Sequence, residues 1–277
     1  MSTSITTSFV TDYMSDMHVA FQQGATKLRG LTRLKTGVIG STATFQVIGK
    51  GYAGTKSRHG DIPLMNATHT TASATLTDYY AGEYIDKLDE LKIKHDERRA
   101  AAINGAGALG RKIDNLIVTV LDSGAGTTDT TSTAGLTKAR IFTALETLNG
   151  NDVPDDGRRV GLVGPHQWNE LINISEVKSA DYVGDLYPFL RGTQSFKWQN
   201  VLWVLHTGLP LSSGTRKVFI YHPDAVGYAE GQMPQVDIQW IGEKQAWLFA
   251  HSMSGGAVAI DGTGIYEIQC DDDEAIS

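Results

Sequence analysis

Two stretches of strict alternation, separated by a glycine-rich run, constrain this chain more than any other feature. From Ser41, residues Ala43, Phe45 and Val47 alternate with Thr42, Thr44 and Gln46; later, Ala72, Ala74 and Leu76 alternate with Thr71, Ser73, Thr75 and Thr77. A period of two marks a strand with one buried face. Between the two stretches, Gly49, Gly51, Gly54, Gly60 and Pro63 interrupt any regular element. The pattern predicts a long β-hairpin. Its apolar face is thin, mostly alanine and threonine, and an isolated two-stranded hairpin is marginal in water. It is expected to be ordered only where it lies on something else. If it projects from the body, that support is another subunit.

Charge is distributed unevenly around this hairpin. Between Met17 and Gly60 there is no Asp or Glu, while Lys27, Arg29, Arg33, Lys35, Lys50, Lys56 and Arg58 give the stretch +7. The whole chain carries −7, so the remainder carries −14. A basic head on an acidic body fits nucleic-acid contact, a lipid-facing arm, or docking onto the acidic body of an identical neighbour. The basic residues are spaced rather than clustered, and no helical amphipathic face organises them, which favours the third reading. A solvated arm is the plain alternative.

The remaining chain reads as mixed α and β structure. Residues 1–35 show no sustained period and read as an extended arm with one short helix. Over Lys94–Leu121, Ile103, Ala106, Gly110, Ile113, Ile117 and Val120 recur at steps of three and four, which predicts one long helix stopped by Ser123-Gly124. At about 1.5 Å per residue it would span about 40 Å, the length of a spine. A Gly/Thr/Ser-rich linker, Gly124–Gly135, follows it. Thr137–Leu148 reads as a helix, Arg159–Val163 as a strand, and Pro165 as the first residue of a helix. Val201–Leu205 is wholly apolar and reads as a central strand, followed by another at Lys217–Tyr221. Beyond Gln235 the alternation of Val236, Ile238 and Trp240, with Ala246–Ala250, Ala257–Ile260 and Ile265–Ile268, predicts an antiparallel sheet. Asp271–Glu274 forms an acidic tail.

Composition narrows the function classes. With 277 residues and 41% hydrophobic content, the chain has material for one or two cores. No apolar run approaches the length of a membrane span, so no membrane partner is expected. The first residues lack a basic start and an apolar stretch, and the single Cys270 allows neither an internal disulfide nor a cysteine metal site. A reducing cytosol is the expected place of synthesis.

Catalytic motifs carry little weight. Gly105-Ala106-Gly107-Ala108-Leu109-Gly110 matches a dinucleotide fingerprint literally, but helical sequence, Lys94–Asn104, precedes it where a strand is required. Close packing of a helix on a sheet explains the glycines better. The eight histidines form no metal pair; His166 opens a helix, and His206 and His222, each following a strand, are candidates to approach one another. Ser252-Met253-Ser254-Gly255-Gly256 lacks the nucleophile-elbow frame and reads as a turn between strands, and Asp155-Asp156-Gly157 reads as a loop. The expectation is a protein without catalysis and without cofactor or metal.

The order of parts (basic arm, projecting hairpin, long helix, α/β region, return to β structure) resembles the Hong Kong 97-like fold of tailed-phage capsid proteins, and within it those of short-tailed, T-seven-like phages. The resemblance is densest from Thr42-Ala43-Thr44-Phe45-Gln46-Val47-Ile48-Gly49-Lys50 through Tyr84-Ile85-Asp86-Lys87-Leu88-Asp89 to Arg111-Lys112-Ile113-Asp114. A second patch is Trp247-Leu248-Phe249-Ala250-His251-Ser252-Met253 followed by Gly256-Ala257-Val258. Weak similarity covers most of the chain after about Ala25.

The resemblance implies an α+β fold with an N-terminal arm (1–35), an extended hairpin loop (36–80), a peripheral domain with the spine helix (81–133 and 236–277) and an axial domain (134–235). It implies a major capsid protein that self-assembles as pentamers and hexamers into an icosahedral virion shell around double-stranded DNA, without sequence-specific binding. Assembly is expected in the host cytoplasm, with a separate scaffolding protein and a portal as partners. Arg29, Arg33, Lys50, Lys56 and Arg58 on one side, with Asp86, Asp89 and Glu90 on the other, are the expected inter-subunit contacts. Lys50 and Lys56 are also available for the lysine–asparagine cross-link of some members, though no asparagine partner is identifiable. Competing readings are an encapsulin-type compartment with protein cargo, a nicotinamide-dependent oxidoreductase using the glycine run, and a tail or surface-layer protein.

Overall fold

In a computed structural model of the chain, which describes Gln23 and residues 25–90, 97–178 and 195–273, the alternating stretches pair as the pattern requires. In chain order the elements are β1 (Arg33–Thr36), β2 (Thr42–Ile48), β3 (His69–Thr75), β4 (Thr77–Asp86), α1 (Lys87–Glu90), α2 (Glu97–Gly124), β5 (Thr127–Asp129), α3 (Lys138–Gly150), β6 (Arg159–Val163), α4 (Pro165–Asn173), α5 (Ser175–Lys178), β7 (Ser195–Trp198), β8 (Val201–Leu205), β9 (Leu211–Ser212), β10 (Thr215–Tyr221), β11 (Val226–Ile241), β12 (Ala246–Ala259) and β13 (Ile265–Asp271). The fold class is α+β.

Strands β2 and β3 are antiparallel, in register from Thr42 opposite Thr75 to Ile48 opposite His69. The thin face serves the root of this hairpin. Ala43, Phe45 and Ala74 are buried against Ala229, with Val38, Leu76, Val258 and Ile260 around them. Gly227 makes the approach possible, because a Cβ there would lie 2.8 Å from the Phe45 ring. The root therefore rests on its own chain, while Tyr52, Ile62, Leu64 and Met65 farther out are exposed.

The chain divides into two compact units, one of residues up to Thr26, Asp78–Lys112 and Met233–Ser254, the other of Lys27–Thr77, Ile113–Gln232 and Gly255 onward. In the first, Ile85, Ala101 and Phe249 form a small core with Trp247 packed on it. Trp240 meets Trp247 edge-on at 5.3 Å, and the Arg98 guanidinium lies over Trp247 at 5.1 Å. The glycine run sits well inside α2, not at its start. At Gly105 the helix backbone lies under the His251 ring, where a Cβ would fall 2.1 Å from Cδ2; at Gly110 it lies against Ala25 and Thr26. These glycines serve close approach, which removes the dinucleotide geometry that needs the motif at a helix N-terminus.

The second unit holds a sheet in the order β5-β13-β10-β6-β8-β7, with β9 paired to β10. Strand β10 is antiparallel to β13 and β6, while β6 and β8 are parallel. Ile141, Ala144 and Leu148 of α3 and Trp168 and Leu171 of α4 bury their apolar faces in the core formed with Val163, Trp203, Val218, Ile220 and Ile268. Thr137 caps α3 and Pro165 occupies the first turn of α4. The linker is tied down: β5 pairs with β13, and Arg140 bonds Asp129 at 2.7 Å and the carbonyl oxygens of Ala134 and Gln269 at 2.8 and 2.6 Å.

Asp114 is the most connected buried group of this unit, only 1% exposed. Its carboxylate accepts from the backbone N–H groups of Lys27 (3.0 Å) and Leu28 (3.1 Å) and from His206 Nε2 (3.3 Å). His206 Nδ1 accepts from Gly208 N, so the ring proton lies on Nε2, toward Asp114. The Lys27 ammonium reaches the Leu205 carbonyl at 3.2 Å.

Two expectations are corrected. Ser252–Gly256 is no turn: β12 runs through it unbroken. Its glycines answer close neighbours, since a Cβ at Gly256 would lie 2.1 Å from the Thr75 carbonyl oxygen and one at Gly255 2.6 Å from the Tyr228 hydroxyl. Ile265–Ile268 pairs with β10 in the second unit's sheet, not with β11 and β12, because Gly262–Gly264 turns the chain through a tight 3-10 segment. Val201–Leu205 is interior to that sheet, paired on one side with β6 and on the other with the edge strand β7.

Replacing Gly105 by alanine gains helix propensity but drives a methyl into the His251 ring. We expect a net loss of about 1–3 kcal/mol in denaturant unfolding. His251 is 5% exposed, and among the described residues its Nε2 has no hydrogen-bond partner. Burial lowers its pKa below 6.5, against an opposing pull from Glu83. The folded state therefore holds it neutral while the unfolded chain takes up a proton, so its contribution is complete above about pH 6.5 and is lost on acidification. Between about pH 7 and about pH 5 the melting temperature of His251→Gln should fall less than that of the wild type. Asp114→Ala, which strands two buried N–H groups, should destabilise by about 3–5 kcal/mol, and Asp114→Asn by distinctly less.

Candidate functional site

The surface features that stand out are the hairpin tip and an acidic cleft, both in the second unit. Beyond Ile48 the arms are still joined by Gly49 N to the Thr68 carbonyl at 2.8 Å, and the chain turns at Arg58-His59, where Gly60 N bonds the Ser57 carbonyl at 3.0 Å. The tip exposes Ile48 (66%), Tyr52 (81%), Ile62 (74%), Leu64 (81%) and Met65 (62%). A soluble chain rarely leaves such a group together on one loop unless it meets a partner.

The cleft, of about 460 Å³, is lined by the turn after α3 (Gly150–Pro154), by His222, Asp224 and Ala225, by Asp261, Thr263 and Gly264, and by Lys50. Each wall has a local cause. Arg159, 1% exposed, holds the turn from inside: its guanidinium donates to Asn149 Oδ1 (2.7 Å) and to the carbonyls of Val153 (2.6 Å) and Pro154 (3.0 Å). Asp152 sits at φ 60°, in the left-handed region that asparagine and aspartate tolerate best. Asp261 accepts from Thr263 N at 3.0 Å and Thr263 Oγ1 at 2.7 Å. His222 Nδ1 accepts from Asp224 N, so Nε2 points its proton to Asp156, 3.3 Å away.

Four carboxylates, Asp152, Asp156, Asp224 and Asp261, thus stand around this cleft or beside it. Arg158 bridges two of them, with 2.6 Å to Asp156 and 2.8 Å to Asp224, and its guanidinium holds the Asp156 carboxyl well below the usual range. The second cation is Lys50, whose ammonium lies 2.5 Å from Asp152 Oδ2 and 3.4 Å from the Asn151 carbonyl. The pair raises the lysine's pKa and lowers that of the aspartate. Among the described residues no His/Cys/Asp/Glu cluster suits a metal ion, and no helix is long and apolar enough to cross a membrane. Burial pushes the Cys270 thiol up to about 12, which keeps it protonated.

The residues expected at inter-subunit contacts are scattered. Arg29 lies 2.7 Å from Glu230, which is 2% exposed. Arg33 is exposed on β1, and Lys56 and Arg58 are exposed on the tip, where Lys56 Nζ bonds the Gly60 carbonyl at 3.3 Å. Asp86 accepts from Leu88 N at 2.7 Å. The side chains of Asp89 and Glu90 lie outside the described residues. His206 and His222 take different carboxylates, Asp114 and Asp156, and are not a pair. Of the cleft residues, Lys50 was among the expected contacts and His222 among the histidines singled out, whereas Asp152, Asp224 and Asp261 were not foreseen; they come from loops far apart in the chain. A carboxylate at Asp114, beside Ile113 and one turn before Ile117 on an otherwise apolar face, was a signal available in the sequence.

Comparison with known proteins agrees with this architecture. Three similar solved structures are the capsid of the cyanophage P-SCSP1u (TM-score 0.77, 16% identity, 98% of this chain and 95% of that one), a protein of the Mycobacterium phage Che8 (0.73, 19%, 94% and 97%) and the capsid of the cyanophage Pam1 (0.71, 13%, 99% and 99%). At these identities the likeness establishes the fold, the Hong Kong 97-like capsid fold. A search of curated proteins finds no significant match. The family model described as "Phage capsid protein" matches residues 5–272, and the chain belongs to that family.

Proposed function

We propose that copies of this phage capsid protein assemble as pentamers and hexamers into a closed icosahedral head around double-stranded DNA. A separate scaffolding protein and a portal take part in the host cytoplasm. Residues 1–35 act as an arm, 36–80 as the loop that overlaps a neighbour, 81–133 with 236–277 as the peripheral domain, and 134–235 as the axial domain. Arg29, Arg33, Lys50, Lys56, Arg58, Asp86, Asp89 and Glu90 contribute charged contacts between subunits.

The observation that carries this reading is the hairpin tip. Five large apolar side chains are exposed on a loop whose root is packed on its own chain. Burying each on a neighbour stabilises by about 1.5–3 kcal/mol. Because every subunit offers one tip, these modest contributions accumulate around a shell. The stretch Met17–Gly60, which holds no Asp or Glu, also suits an acidic neighbour, and the acidic remainder limits adhesion of the shell to the enclosed polyanion.

Purified protein co-expressed with its scaffold should give closed shells tens of nanometres across in light scattering and negative-stain electron microscopy. Nuclease-protected DNA inside particles from infected cells would establish the cargo, whereas protein cargo alone would point to a compartment of the encapsulin type. A stable monomer or dimer with scaffold present would sink the shell reading.

A further inference from the structure

We propose that residues 9–21 dock as an amphipathic helix in a trough beside α2 of their own chain, over the exposed apolar face of β11 in the first unit. The contact lies within one subunit, so it stands apart from the shell reading above.

Small residues form one wall of the trough and bare apolar ones its floor. Gly110, Ala106, Ala102 and Arg98 follow one another at steps of four along α2 and make a single ridge. Three of them carry at most a methyl group, which lets a second helix come close. At the far end the Arg98 guanidinium lies 5.1 Å over Trp247, and Trp240 meets Trp247 edge-on. Side chains alternate along a strand, so Ile238 and Val236 share the face of Trp240. This is the face on which β12 carries α2, with His251 under Gly105. Trp240, Ile238 and Val236 are nevertheless 39%, 51% and 50% exposed. A contiguous row of large apolar side chains in water marks a surface that something covers.

The course of the chain identifies the occupant. Lys27 and Leu28 donate to Asp114, Ala25 and Thr26 lie against Gly110, and the Arg111 guanidinium donates to the Gln23 carbonyl at 3.4 Å. Followed backward from Leu28, the chain passes Asp114 and then Gly110, so the residues before Gln23 enter where the ridge begins. Among them Phe9, Tyr13, Met17 and Phe21 recur at every fourth position with Val10 and Met14 beside them, while Thr11, Asp12, Ser15, Asp16 and His18 fall opposite. That spacing gives one apolar helical face, and Ser8 precedes it as an N-cap residue. It places the short helix expected in the arm.

Length, charge and tether agree. From residue 9 to residue 21, and from Arg98 to Gly110, a helix rises by the same amount, about 18 Å. Asp12, in the first turn of the segment, then arrives at the end of the trough where Arg98 and Arg99 are exposed. Gln23 is held on α2 two residues after Phe21, so the segment meets its own trough as an intramolecular partner, and the same segment of a second copy has to displace it.

Hydrogen–deuterium exchange of the full-length, unassembled chain, read by mass spectrometry, tests this. Amides of residues 9–21 should exchange at least about tenfold more slowly than in an unstructured peptide of the same sequence. Ile238→Asp, which charges the floor of the trough, and Met17→Asp, which charges the segment, should each return them to the unstructured rate. Amides of β12 and α3 should keep their protection in both variants; if Ile238→Asp loosens β12, Met17→Asp alone decides, because it leaves the body of the unit untouched. Free exchange of residues 9–21 in the wild type, or protection that survives the deciding substitution, overturns the proposal. Protection that appears only at high concentration or in shells assigns the segment to a second copy and overturns it as well. Each of these results leaves the shell reading to electron microscopy of the same protein.

Discussion

A buried carboxylate sets the geometry on which the second unit depends. Asp114 projects from α2 into a place where three other segments meet: the arm root at Lys27–Leu28, the end of β8 at His206, and the buried β10. An ion there is tolerable only because donors from two segments converge on it. The negative charge is felt beyond its hydrogen bonds, since burial raises the Tyr221 hydroxyl's pKa and Asp114 adds to that rise. The bonds are made with backbone N–H groups, so they fix where the main chain of the arm turns, not merely where side chains lie. Leu28, fully buried, is delivered to the core by that turn, and β1 and the hairpin root follow from it within a few residues. The direction of the projecting hairpin is in this sense an outcome of one carboxylate on a helix.

Elements with an unambiguous period were legible in the sequence. Alternation across Thr42–Val47 and Thr71–Thr77 predicted both hairpin strands, and steps of three and four located the spine helix, whose described part begins at Glu97. Where the period fails, the reading failed. Strand β4, Thr77–Asp86, contains Tyr79-Tyr80 and Ala81-Gly82 in sequence, with no apolar face to announce it. Gly255-Gly256 suggested a turn because glycine's usual signal is conformational, whereas here the glycines mark places with no room for a side chain. Strand β13 was recognised as a strand but assigned to the wrong neighbours, since alternation reports which face is buried and not which edge is paired.

The candidate site was less legible, for a different reason. The basic run without a carboxylate from Met17 to Gly60 is a local property, visible in the sequence. The cleft is assembled from Lys50, the turn after α3, Asp224 and Asp261, segments brought together only by the order β13-β10-β6 within the sheet. Asp152, Asp224 and Asp261 each follow or precede glycine, proline or asparagine and taken singly look like ordinary turn residues. Arg159 shows the limit most clearly: an arginine at the start of an apolar strand reads as a flanking charge, yet it is buried and holds the cleft wall.

The tip must expose apolar side chains without becoming a template for uncontrolled association. A two-stranded sheet has two open edges, and exposed edges invite further strands. Here the ladder is confined to seven residues on each strand and stops at Ile48 and His69. Past that point the loop is irregular and turns at Arg58-His59, and His59 and Asn66 adopt positive φ values. The apolar residues are thus carried on irregular backbone unsuited to strand addition, while the excess of Lys50, Lys56 and Arg58 over Asp61 disfavours contact between like tips. Discrimination against tip-to-tip association thus comes from charge and backbone shape and requires no strong single contact.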